Sequence, residues 1–325
     1  LRTYSHLATR GQVPSEYEIV SSRLLYHPQR GFEIDVPVGP WYARYGQGGR
    51  LRGSGWEAFV DPRETTYASY TRLQAGNEQH LDAVARSFEQ SGHAARLPEA
   101  WRTTVSALVP PLRFAWHGLQ MMAAYLGQMA PAGRLTLVSL FLAADQLRRI
   151  HRVAMFMAPL QAADAQLAQL ARTDWQEGPA WQPLRRAVEE GLVAYDWGES
   201  FAALCLGLLP ALDDLLLHEG GALARQAGDF YLGEVLASFA EDARWHRAVA
   251  AALVAHAVRE DAGNESTLAA WVARWAQAGR AAAAGLAPLL VDANETAPLL
   301  ARAEARTRAF LDSLGLPPPQ EGPAR

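Results

Sequence analysis

The 325-residue chain contains no lysine: all thirty of its basic residues are arginine. A GC-rich genome accounts for that bias, yet the absence still removes a body of chemistry. No Schiff-base lysine, phosphate-loop lysine or lysine general base is available. Cysteine is nearly missing too. Cys205 stands alone, so no disulfide forms within the chain, and a reducing cytoplasm is the expected location. Long apolar runs are short of a bilayer: those around 135–144 and 201–217 are interrupted by Asp145, Pro210, Asp213 and Asp214. No signal peptide is evident, and the chain opens at Leu1, so a few residues are expected to precede it. The net charge of −4 is mild, so no global field argues for nucleic acid or an anionic membrane, and neither is expected as a partner.

What is present is a sizeable apolar half, enough for a large core. Residues 1–62 differ from the rest. They carry Pro14, Pro28, Pro37, Pro40 and a Gly-rich run from Gly46 to Gly55, with Trp41, Tyr42, Tyr45 and Trp56 interleaved. Such density of proline and glycine opposes long helices, while aromatics seldom stay in water, so this segment reads as an extended arm lying across another surface. A short hairpin is expected within 22–36. From Asp61 the pattern turns helical. Asp61-Pro62 with Glu64 reads as a helix start. Long helices are expected at 63–90, 97–129, 134–171, 181–209 and 229–259, with shorter ones at 211–226, 266–284 and 294–314. The 229–259 helix would run about 45 Å. These lengths predict an all-α, long-helix bundle over 63–285, then a C-terminal helix and a Pro-rich tail over 286–325.

One further absence bears on chemistry. None of the nine histidines has Asp or Glu three residues before it; those positions hold Thr3, Leu24, Asn77, Gln90, Phe114, Arg148, Leu215, Ala243 and Leu253. Di-iron bundles use Glu-x-x-His once in each of two helices, because one turn sets carboxylate and imidazole on the same inward face. No metal ligand and no catalytic residue is therefore assigned.

Three constellations remain. Asp242 and His246, four apart, face the same way, and the favoured reading is a buried Asp–His hydrogen bond rather than half a metal site. Asp145 is followed by Arg148 and Arg149, so an arginine stands at the histidine position. Either an internal charge pair replaces a metal there or the residues line a solvated helix face. Asp196, Trp197 and Glu199 lead into a very apolar helix. A helix or subunit contact is favoured over acid–base work by the two carboxylates.

Weaker signals add little. The Gly46–Gly55 run lacks a phosphate loop's Gly-Lys-Ser/Thr, and Ser54 is in no Gly-x-Ser-x-Gly elbow. The pairs Glu89–His93 and Asp214–His218 sit near helix ends, and Met121, Met122, Met129 and Trp116 read as core or interface.

Taken in order, several segments resemble one family: Arg2–Leu7, Pro14–Glu18, Trp41-Tyr42, Asp61-Pro62 with Tyr67, Pro111–Arg113 with His117–Met121, Gln128–Ala132, Ala144–Arg148, Asp196–Phe201 and the Asp242–His246 helix. Over nearly the whole length to about residue 285, the chain resembles the hydroxylase β subunit of soluble multicomponent di-iron monooxygenases, closest to the toluene and alkene branch. The resemblance implies a ferritin-like fold and a non-catalytic scaffold with no cofactor of its own. It implies pairing about a two-fold axis with a second β subunit and with α and γ subunits as (αβγ)₂, the arm wrapping a partner. The α partner would hold the di-iron centre and hydroxylate aromatics or epoxidise alkenes. An effector protein, a Rieske-type iron–sulfur ferredoxin and a flavin (FAD) reductase fed by NADH would complete the system. On this reading Trp41, Tyr42, Asp145, Arg148, Asp196, Trp197, Glu199, Asp242 and His246 are structural or subunit contacts.

Two other classes are weighed against it. A self-contained carboxylate-metal oxidase requires Glu78, Asp145, Glu199 and Asp242 to converge with His246. A binding module for an apolar ligand requires an open, Trp- and Met-lined interior, which periodicity does not distinguish from a core.

Overall fold

The computed structural model describes Leu7 and residues 13–22, 38–163 and 167–317. The hairpin expected within 22–36 and the tail expected from Pro317 lie almost wholly outside the described residues. The described chain is helical and holds no β-strand. Two short helices, α1 (Glu16–Ser21) and α2 (Val38–Tyr42), precede the bundle. Its elements are α3 (Tyr67–Gln90), α4 (Glu99–Met129), α5 (Gly133–Ala163), α6 (Leu167–Glu177), α7 (Gln182–Leu192), α8 (Trp197–Gln226), α9 (Phe230–Glu260), α10 (Gly263–Leu286) and α11 (Ala293–Asp312).

Four of the long helices enclose the core. Helices α4 and α5 pack along their lengths as an antiparallel pair. Between them and α8 and α9 lie Trp116, Leu119, Met122, Phe141, Phe201 and Phe239, each at most 3% exposed. Helix α3 closes the side formed by α5 and α9, while α10 crosses the outside of α8 and contacts α7.

The helix expected over 134–171 is described as Gly133–Ala163 and Leu167–Glu177, and three further departures from the expected boundaries have a visible cause. Asp61 does not cap α3. Its carboxylate accepts from the Arg63 and Thr65 amides and from Trp245 Nε1, at 2.8–2.9 Å. That pins a turn in which Glu64 takes a positive φ of 50°. The helix starts six residues later, where Thr66 accepts from the Ser69 amide and Ser69 answers to the Thr66 amide. The expected 181–209 helix divides at 193–196, because the Asp196 carboxylate accepts from the Gly198 and Glu199 amides and starts α8 afresh.

The third departure is Pro210, which does not end a helix. Helix α8 runs unbroken from Trp197 to Gln226. Wide turns over Ala202–Leu208 and Asp213–Glu219 bracket the proline, and the Leu209 amide bonds five residues back to Leu204. The missing proline N–H falls where the hydrogen-bond register changes, so the helix continues. By length and composition α8 would cross a membrane, but its apolar window is 94% buried inside the protein.

Helix α8 is buried because α10 comes against its backbone. A Cβ on Gly207 would sit 2.6 Å from the Trp275 Cβ, and one on Gly279 would collide with the Gly207 carbonyl. We expect Gly279→Ala to lower stability by roughly 1–2 kcal/mol, because overpacking outweighs alanine's ~1 kcal/mol advantage in helix propensity. A urea midpoint equal to that of the parent chain would refute so close a crossing.

Candidate functional site: a buried arginine–carboxylate cluster

On α3, Tyr70, Gln74 and Glu78 recur every four residues and so share one face. That face meets Asp145, Arg148 and Arg152 of α5 and Ser238, Asp242 and His246 of α9. Asp145, Asp242, His246 and Arg148 are all buried, the most exposed at 8%.

Arg148 is the hub. Its Nε donates to Glu78 Oε1, its Nη1 to Asp242 Oδ2 and its Nη2 to Ser238 Oγ, each at 2.6 Å. The guanidinium also lies 5.2 Å from the Phe239 ring centre. Asp145 takes three contacts. Tyr70 Oη (2.7 Å) and Gln74 Nε2 (2.9 Å) donate to its Oδ1, and His246 Nε2 lies 2.8 Å from its Oδ2. Gln74 Nε2 also donates to Asp242 Oδ1 at 2.9 Å, tying the two carboxylates together. Glu78 is held from its other side by Arg152, whose second amino group reaches Asp82.

The electrostatics follow from this desolvation. Burial pushes the Asp242 carboxyl above its ordinary value, and Asp145 adds to the push, while Arg148 and His246 oppose it. Burial and then the Asp145 charge raise the Tyr70 phenol strongly, so it remains a protonated donor. Asp242 and His246 share a face of α9 but do not bond each other. The expected i,i+4 pair is replaced by two longer-range partners, Arg148 for Asp242 and Asp145 for His246. The reason is competition: a guanidinium gives Asp242 a charge-assisted bond that a neighbouring imidazole does not match.

These residues do not fit the two-iron set of helical bundles. The histidine position after Asp145 is Arg148, whose side chain fills the gap between carboxylates. The carboxylate position before His246 is Ala243. Glu199, which a self-contained metal site would require, lies apart and bonds Arg274 at 2.7 Å. Among the described residues, no three His, Cys, Asp or Glu side chains group so as to hold a metal ion.

A second assembly anchors the arm. Asp196 Oδ2 accepts from the Arg50 amide at 2.7 Å, and Trp197, 1% exposed, meets Trp56 edge to face at 5.0 Å. Glu260 Oε2 accepts from the Ser54 and Gly55 amides, and Asn264 bonds Arg52 through both its donor and its acceptor. Trp41 Nε1 donates to Tyr125 Oη at 3.1 Å, and the Tyr42 ring lies against Gly46. Residues 41–61 thus lie along the chain's own bundle. Their glycines explain why: a side chain at Gly49 or Gly55 would strike Trp197 or Glu260.

An apolar cavity of about 50 Å³ lies between α4, α5, α8 and α9, lined by Trp101, Leu108, Trp116, Phe156 and Phe239 among others. That is a third of the ~150 Å³ that holds benzene in an engineered protein, so the interior does not admit an aromatic ring without opening.

Sequence reading singled out Asp145, Arg148, Asp242 and His246 but not Tyr70, Gln74 or Arg152, and it named Glu78 only for a metal site. The available signal was polar residues at four-residue spacing on an α3 face that also buries Leu81.

Hydroxylase relatives share this arrangement of helices. The family model for methane/phenol/alkene hydroxylases matches residues 39–261. The hydroxylase component β subunit of the toluene-4-monooxygenase system of Ectopseudomonas mendocina is 34% identical over 90% of this chain and 91% of its own length. An oxygenase component of phenol 2-monooxygenase from Pseudomonas sp. strain CF600 is 26% identical over 69% of this chain and 68% of its own. A solved toluene 4-monooxygenase structure with toluene bound in its resting active site contains a chain that superposes with a TM-score of 0.83. It is 33% identical, over 89% of this chain and 97% of that one. The fold is a ferritin-like helical bundle. The chain belongs to the methane/phenol/alkene hydroxylase family, and within it corresponds to the β subunit of a monooxygenase hydroxylase component.

Two outcomes test the energetics. Asp213 accepts from Arg149 at 2.8 Å with both side chains nearly fully buried. Asp213→Ala, leaving Arg149 without its partner, should cost about 3–5 kcal/mol, whereas Glu199→Gln at the exposed Arg274 pair should cost less than ~1 kcal/mol. Equal urea midpoints would refute the distinction.

Burial also lowers the His256 imidazole below its ordinary value of 6.5 against the opposing charge of Glu260. The unfolded chain then binds more protons than the folded one just below pH 6.5, so stability is lost as pH falls through that window. His256→Gln should flatten this slope in denaturation curves taken across the window, and an unchanged slope would exonerate the residue.

Proposed function

We propose that this chain is the non-catalytic scaffold of an (αβγ)₂ hydroxylase that hydroxylates aromatic hydrocarbons or epoxidises alkenes. The observation that carries the reading is 34% identity, over nearly the full length, to the β subunit of a toluene-4-monooxygenase system, in a chain whose own helix core is closed by Arg148. The di-iron centre and the reacting hydrocarbon then belong to an α partner. A γ subunit, a second β subunit, an effector protein and a Rieske-type ferredoxin with an FAD reductase drawing on NADH complete the assembly, in the cytoplasm.

The surface supports partners. Leu140, Leu147 and Met155 are 42–52% exposed along one side of α5, and Val13, Ile19, Val20 and Trp41 are exposed in the arm. Exposed apolar side chains of this kind are what a partner would cover. We read residues 1–62 as the arm whose outward side meets a partner, 63–285 as the bundle, and 286–325 as its C-terminal appendage. Asp196, Trp197 and Glu199 serve assembly by holding the arm in place.

Iron content decides the matter. The chain purified by itself should carry no iron, while the complex that co-purifies from its native host should carry about two irons per αβγ unit. Stoichiometric iron on the isolated chain would overturn the scaffold reading.

A further inference from the structure

The core between α4, α5, α8 and α9 is not filled throughout. The apolar cavity of about 50 Å³ that remains there has the rings of Trp101, Trp116, Phe156 and Phe239 on its walls. Protein interiors hold few voids larger than a water molecule. The inner end of this one is closed by Leu112, Leu216 and Phe239, each at most 3% exposed. Toward the end of the bundle the wall passes to Thr104, Phe156, Tyr231 and Leu232, which are half-buried.

The chemistry of the wall keeps water out. The polar groups that border the cavity already have partners. Trp101 Nε1 donates to Asp229 Oδ2 at 3.0 Å, Glu78 and Asp82 hold the Arg152 amino groups at 2.6–2.8 Å, and Tyr231 hydrogen-bonds Arg152. Arg152 Nε is the one buried side-chain polar atom of the wall without a partner among the described residues. A trapped water requires two to four such groups, so the void stays dry. Size then selects the ligand. An engineered apolar cavity of ~150 Å³ holds benzene, so by proportion a third of that volume holds about two heavy atoms. We propose that this cavity is a binding site for one small apolar gas molecule, of the size of dioxygen or ethene, held by dispersion against the four aromatic rings. Each atom pair contributes little, but a ligand enclosed on several sides makes many such contacts. So few atoms bind with a Kd no tighter than about 5 mM, so the site fills under gas pressure and empties without it. Entry is from the half-buried side, where Phe156 and Leu232 move more readily than the packed inner end. The proposal does not rest on the hydroxylase assembly, because every wall residue belongs to this chain.

Xenon, a probe of dry apolar cavities, tests this in crystals of the full-length protein as it purifies from its host. Crystals cooled under xenon should show one strong anomalous peak between Trp116, Phe156 and Phe239, and crystals kept under air should show no ordered water there. A cavity left empty by xenon, or filled by water, overturns the proposal. Crystals cooled under dioxygen and under ethene distinguish the two ligands. Elongated density at the xenon position in either one upholds the site and names its occupant, and density in neither overturns it. Val235→Phe, which adds a ring to the wall, should abolish the xenon peak, and a peak that survives counts against the cavity as its cause. Where that variant does not fold, Val235→Leu should lower the peak by about half, and an unchanged peak overturns the proposal in the same way.

Discussion

The bundle turns on one desolvated guanidinium. Arg148 leaves α5 and binds α3 through Glu78 and α9 through Asp242 and Ser238, so a single side chain fixes the register of three helices. A buried charge tolerates little displacement, because each ångström of separation exposes a carboxylate to a medium that cannot solvate it. Arg149 and Arg247 repeat the device toward α8, at Asp213 and Asp214. The lack of lysine thereby acquires structural meaning. A planar fork satisfies two or three acceptors on different helices at once, whereas an ammonium presents a compact point charge on a flexible stem.

Around this polar centre the packing is of two kinds. Where α8 meets α10, glycines allow backbone against backbone, and the fit is set by shape. Where α4, α5, α8 and α9 face one another, large aromatics and leucines fill the space, leaving a small apolar cavity beside Phe239. Phe239 therefore borders both regimes, with the cavity along one side and the Arg148 and Arg149 guanidinia within 6 Å of its ring. The core of this hydroxylase subunit is thus stabilised by buried ion pairs and by dispersion contacts.

The Gly-rich stretch shows how a segment with little local preference becomes ordered. Its backbone amides have no helix to satisfy them, and Asp196, Glu260 and Asn264 supply acceptors from distant points of the bundle. Trp56 then docks against Trp197 and His256. The outward residues of the arm, among them Trp41 and Val38, remain as apolar surface.

The sequence by itself determined that the chain is helical, that its helices are long, that Asp145 and Arg148 share a face, and that no Glu-x-x-His survives. All of these rest on spacings of three or four residues, which a helix converts directly into neighbours. Only the tertiary structure decided that Asp242 bonds Arg148 rather than His246, that Gln74 bridges two carboxylates, and that Asp61 caps a turn held by Trp245 instead of a helix. It also decided that α8 continues through Pro210. The side-chain choices pit a local preference against a partner on another helix, 71 to 184 residues away for the pairs at issue. In a dry interior the charge-assisted or fully satisfied partner prevails, and local spacing carries no record of which partner that will be.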